Sequence, residues 1–122
     1  MPAQVVLVHN VTKFAFEAAA ALRDAGYQVA VFTDPVKALD ALDRAQTIEV
    51  LITRVNFPPG KPNGVSLALM TRYRRPNVRV VFTARAEMAR HTQDIGELVP
   101  APISISDLVE AVRRLLPLPA LT

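Results

Sequence analysis

One arginine stands where a strand should end and a loop begin. From Ile48 the chain runs through Val50, Leu51 and Ile52 to Thr53 and Arg54, then breaks into Pro58, Pro59, Gly60, Pro62 and Gly64. Such a run reads as a buried central strand that delivers Arg54 to a loop. Loops at strand carboxyl ends are where folds of this kind do chemistry. Two other aliphatic runs also end at polar groups: 4–8 at His9 and Asn10, and 78–82 at Thr83. The chain has no cysteine and two histidines, His9 and His91, so thiol chemistry is excluded and material for a zinc site is poor. No nucleophile beside a base is visible, and an enzyme is not expected.

Composition narrows the class further. With 122 residues, 51% of them hydrophobic, the chain has the size of one domain, residues 1–122, with a single substantial core. No apolar run approaches the ~20 residues that a membrane helix needs, and none has the flanks of a signal peptide. A soluble, cytoplasmic protein with no membrane contact is expected. The net charge of +3, from 14 basic and 11 acidic residues, falls short of the dense basic stripe that nucleic-acid binding demands. Arg72, Arg74, Arg75 and Arg79 form a local concentration, but three of them sit where a helix should end, and cations there complement the helix dipole.

The elements that must position Arg54 follow from periodicity and punctuation. A strand over 4–8 leads to Thr12, placed to cap a helix over 13–25 that carries Phe14, Ala18, Ala21, Leu22 and Ala25 on one face. Gly26 stops that helix before a strand over 27–32. Asp34 caps and Pro35 opens a second helix with Val36, Leu39 and Leu42 inward. Gly64 begins a third helix, whose Val65, Leu69, Met70 and Tyr73 read as core, and Pro76 ends it. A strand over 78–82, a weaker polar helix over 87–94, a very short strand over 97–99 and a last helix complete the chain. Ser104 and Asp107 form a capping box for that last helix, and Leu108, Val112, Leu115 and Leu116 make its stripe. Five strands alternating with five helices give an α/β fold: a flavodoxin-like, doubly wound, five-stranded parallel sheet of order 2-1-3-4-5 with helices on both faces.

Taken together, these residues resemble the receiver domains of response regulators in two-component signalling. The matches are Gly26-Tyr27-Gln28-Val29 after the first helix, Ala38-Leu39 in the second, Val80-Val81-Phe82-Thr83-Ala84, and Pro102-Ile103-Ser104 leading to Asp107-Leu108. The resemblance implies an acidic pair after the first strand, an acceptor aspartate ending the third, a Ser or Thr after the fourth and a lysine after the fifth. Here these positions hold His9 with Asn10, Arg54, Thr83 and Ala101, so only Thr83 keeps the family's residue type. Two unit charges about 4 Å apart interact by ~4 kcal/mol at an effective dielectric of 20, so a divalent ion beside Arg54 would be opposed by roughly 8 kcal/mol. No metal and no cofactor are expected.

Other departures touch the signalling surfaces. The loop from Arg54 to Gly64 is longer than the family's by about two residues and is stiffened by proline. The span from Thr83 to Ala101 is shorter by about four residues, about one helical turn. Leu98 takes the place of the family's aromatic switch residue. The alignment also implies a cis bond before Pro102.

Three functions stay open. One is a pseudo-receiver that binds a signalling partner, a histidine kinase or an output protein, without phosphorylation. Its partner surface would lie at Leu98, Ile105, Val109 and Arg113 and could equally serve a homodimer. The second is a small-anion or nucleotide sensor built from Arg54, Thr83, Asn10 and loop N–H groups. The third, a nucleic-acid-associated basic domain, is disfavoured by the modest charge.

Overall fold

Aliphatic runs with no polar alternation belong in strands covered on both sides, and that is where they lie in the computed structural model, which describes residues 4–44 and 47–118. The strands are β1 (Val5–Val8), β2 (Val29–Phe32), β3 (Val50–Arg54), β4 (Arg79–Ala84) and β5 (Glu97–Pro100). They form one sheet in the order β2-β1-β3-β4-β5, every neighbouring pair parallel. The expected flavodoxin-like topology is therefore present, and Ala101-Pro102 is cis as expected.

Side chains alternate across the sheet and sort into two cores. Val5, Leu7, Val50, Ile52 and Val81 meet α1 (Thr12–Asp24) and α5 (Ile105–Leu115) on one face. Val6, Val8, Leu51, Val80 and Phe82 meet α2 (Pro35–Arg44) and α3 (Gly64–Arg74) on the other. On the first face the buried Tyr27 donates its hydroxyl to the Leu116 carbonyl at 2.7 Å. A Cβ on Gly26, whose φ is +107°, would come within 2.7 Å of the Leu118 side chain. The segment after α5 is thereby held against the turn between α1 and β2.

Several local expectations are corrected. Thr12 is the first residue of α1 rather than its cap; Val11 is the cap and makes no side-chain capping bond. β4 runs on to Ala84 and β5 to Pro100. The polar helix is reduced to a 3-10 turn at Ala86–Met88 and α4 (Ala89–Thr92). Thr92 there is fully buried, and its hydroxyl turns back to the Met88 and Ala89 carbonyls. Ser104 caps α5 as expected, accepting from the Asp107 N–H at 3.3 Å.

The largest correction concerns which face of a helix is buried. In α2, Val36 is half exposed and Pro35, Ala38 and Leu42 are buried. In α3 the buried residues are Gly64, Leu67, Ala68 and Thr71, while Leu69, Met70 and Tyr73 face outward. α3 has two apolar stripes, and the one with smaller residues wins because the helix must lie close on β3. The Gly64 N–H donates to the Val55 carbonyl at 2.8 Å, and a Cβ on Gly64 would stand 1.9 Å from the Arg54 carbonyl oxygen. Thr71 is tolerated inside because its hydroxyl donates to the Leu67 carbonyl at 2.7 Å. Covering a large apolar side chain completely is worth about 1.5–3 kcal/mol, so the outer stripe leaves stabilisation unused.

The same approach fixes an expected outcome. Gly64→Ala must push α3 away from β3 and should destabilise the fold by about 1–3 kcal/mol, read as a lowered urea midpoint; an unchanged midpoint would refute this packing.

Candidate functional site at the carboxyl edge of the sheet

Register brings three of the expected residues into line. Val8 pairs with Thr53 and Arg54 with Thr83, so His9, Arg54 and Thr83 cross the carboxyl edge side by side. Each lies two positions beyond a residue of the α1/α5 core, namely Leu7, Ile52 and Val81. Strand alternation therefore aims all three to that side. Asn10 joins them from the loop after β1. Ala101 is exposed just past β5, and its N–H donates to the Ala84 carbonyl at 2.7 Å.

The centre of the group is a bond. Arg54 donates from a guanidinium N–H to the Asn10 side-chain oxygen at 2.7 Å. A hydrogen bond from a charged donor at this distance is among the stronger kind, though the half-buried setting moderates it. His9, only 5% exposed, accepts the Val11 N–H on Nδ1 at 3.1 Å. It thus serves the start of α1, where a capping side chain was expected from Thr12. Its ring lies 4.6 Å from that of Phe14. Burial first, and the Arg54 charge second, push His9 down from 6.5 to about 4. It is a neutral acceptor at physiological pH. Thr83 is fully buried, and its hydroxyl has no hydrogen-bond partner among the described residues.

Beside the pocket, the proline-rich loop after β3 is anchored. Lys61 Nζ lies 3.2 Å from Asp34 Oδ2, while Asp34 Oδ1 accepts the Val36 N–H at 2.9 Å. That backbone bond foremost, and then Lys61, hold the Asp34 carboxyl below its usual range. The sequence identified Asp34 as a cap but gave no sign of Lys61; neither spacing nor periodicity carries a link between two loops.

The residues of the expected partner surface do not share one sheet face. Leu98 is half-buried against the α2/α3 core, whereas Ile105 and Val109 are half-buried against the α1/α5 core. Arg113 is exposed and pairs with Glu110 at 2.5 Å. Leu98 lies on the edge strand β5 and the other three on α5. Of the arginine concentration, Arg72 donates to the Val78 carbonyl, Arg74 to Asp43 and Arg79 to the Leu115 carbonyl. They are spent on structure rather than gathered into a phosphate site.

Solved structures place this arrangement among known folds. A response regulator receiver protein from Sinorhizobium medicae is 24% identical with a TM-score of 0.82, each chain covered to 94%. The receiver domain of the hybrid histidine kinase CckA is 28% identical with a TM-score of 0.76, over 92% of this chain and 97% of that one. A chemotaxis protein of Vibrio cholerae is 21% identical with a TM-score of 0.78, over 95% of this chain and all of the other. The chain has the receiver-domain fold. No family model matches the sequence.

The divalent cation that receivers use does not fit the residues present. Arg54 sets a fixed positive charge at the carboxyl edge, and its bond already takes the Asn10 oxygen. Among the described residues no group of three or more His, Cys, Asp or Glu could hold a metal, and no helix is long and apolar enough to cross a membrane.

His9 gives this site a pH signature. The unfolded chain takes up the proton near 6.5 and the folded chain only near 4, so between these values the unfolded state binds more protons. Stability from this group is complete above pH 6.5 and is lost as pH falls towards 4, with a slope of up to about 1.4 kcal/mol per pH unit. His9→Asn, which keeps an acceptor for Val11, should flatten that dependence in urea titrations at pH 4.5 to 7; an unaltered slope would assign it to other groups.

Proposed function

We propose that this chain is a pseudo-receiver: a protein-interaction module of two-component signalling that works without being phosphorylated. The observation that carries the proposal is the Arg54–Asn10 bond. At the position that the family likeness gives to the acceptor stands a cation already satisfied by its neighbour, so neither a nucleophile nor a site for magnesium is at hand. A guanidinium cannot accept a phosphoryl group as a carboxylate does, and it stays charged throughout. With no covalent trigger the module holds one arrangement, and a partner reads that arrangement directly. A histidine kinase or an output protein is the partner class that the fold suggests. The β5–α5 edge, with Leu98 on β5 and Ile105, Val109 and the exposed Arg113 on α5, is the surface proposed for it.

A second function, a small-anion or nucleotide sensor, draws on a separate observation. The Thr83 hydroxyl, paired in register with Arg54, is buried without a partner among the described residues, and a buried polar group left unpaired is costly. An anion reaching both groups would have to displace Asn10 from Arg54.

One set of measurements divides the two. Incubation with acetyl phosphate or beryllofluoride and magnesium should leave the intact mass unchanged; a stoichiometric acid-labile adduct would overturn the proposal. Phosphate, sulfate and ATP should not raise the thermal midpoint of the wild type; a rise abolished by Arg54→Ala and Thr83→Val would instead establish the sensor.

A further inference from the structure

Among the described residues, the outer face of α3 gathers several of the exposed large apolar side chains. Tyr73 is 88% exposed, Leu69 51% and Met70 46%. Their spacing sets them on one helix face, with Ser66 a turn earlier. Single exposed apolar residues are ordinary, but adjacent ones on a helix already buried by its opposite stripe form a patch of the kind that marks an interaction site.

Charge says what could cover it. Between Glu49 and Glu87 the sequence has no acidic residue at all, so α3 carries no acid and has Arg72 and Arg74 next to the patch in its last turn. Arg72 donates to a neutral backbone carbonyl and keeps its full charge, Arg74 meets Asp43, and Arg79 reaches the Leu115 carbonyl on the opposite sheet face. The patch thus sits in a positive field that draws an acidic surface towards it.

We propose that the outer face of α3, centred on Leu69, Met70 and Tyr73, docks an amphipathic helix of a partner protein whose apolar stripe is flanked by acidic residues. A second copy is the poorer occupant, because an isologous α3–α3 contact would set these arginines against their own mates. Nucleic acid is poorer too, since Leu69 and Met70 at the centre of the face have no counterpart in a phosphate backbone. The site lies on the sheet face opposite α5 and uses none of the carboxyl-edge residues, so it stands whether or not the pocket takes a phosphoryl group.

Fluorescence anisotropy with three probes tests it: a helical peptide with a leucine stripe flanked by glutamates, its twin with lysines in place of the glutamates, and a single-stranded oligonucleotide. The glutamate peptide should bind at least about tenfold more tightly than the lysine twin, and less tightly as salt is added. Met70→Ala and Tyr73→Ala should each weaken it by about tenfold with the thermal midpoint unchanged, whereas Arg54→Ala should leave it as it was. Four results would overturn the proposal: equal affinity for the two peptides, preference for the oligonucleotide, affinity unaffected by the α3 substitutions, or a dimer in sedimentation that Tyr73→Ala dissolves.

Discussion

A strand covered on both faces can offer water only its end. β3 is such a strand: Val50, Leu51 and Ile52 are fully buried between the two helical layers, and α3 begins directly on its last carbonyl. Whatever this fold does chemically must therefore be done by Arg54 and its neighbours at the carboxyl edge. The rest of the architecture can be seen as the means of keeping that edge in register. In-register pairing carries His9, Arg54 and Thr83 across three adjacent strands, and the two cores hold the strands flat against their helices.

A permanent cation at that edge shapes its surroundings. Arg54 takes the Asn10 oxygen and disfavours a second positive charge next door, which helps keep His9 neutral. Neutrality is what lets His9 accept the Val11 N–H and pack beside Phe14 without exposing a charge. Arg54 thus bears on the approach to α1 in two ways, through its bond to Asn10 and through its charge beside His9. Thr83 is the one member of the group left without a partner among the described residues.

Much of this was legible in the sequence, for identifiable reasons. The aliphatic runs, the breaks at Gly26 and Pro76 and the Ser104 cap are local signals, and they yielded the strand order and the line of edge residues. α3 was not legible in the same way. Its two apolar stripes are nearly equal in hydrophobicity, and what decides between them is the close approach of Gly64 to the Arg54 carbonyl, a tertiary constraint that periodicity does not encode. Thr12 looked like a cap because its type and position suit one, but His9 supplies the acceptor from two residues before Val11. The Arg54–Asn10 and Lys61–Asp34 bonds join distant loops and surface only once the chain is folded.

The Tyr27–Leu116 bond and the seating of Leu118 against Gly26 carry a practical consequence. Tyr27 precedes β2, so residues 116–118 after α5 lie at the amino pole of the sheet, while Arg54 lies at the carboxyl pole. A dye, a tether to a sensor surface or a fused reporter joined beyond residue 118 would start on the far side of the sheet from the pocket, leaving that edge free to face solution.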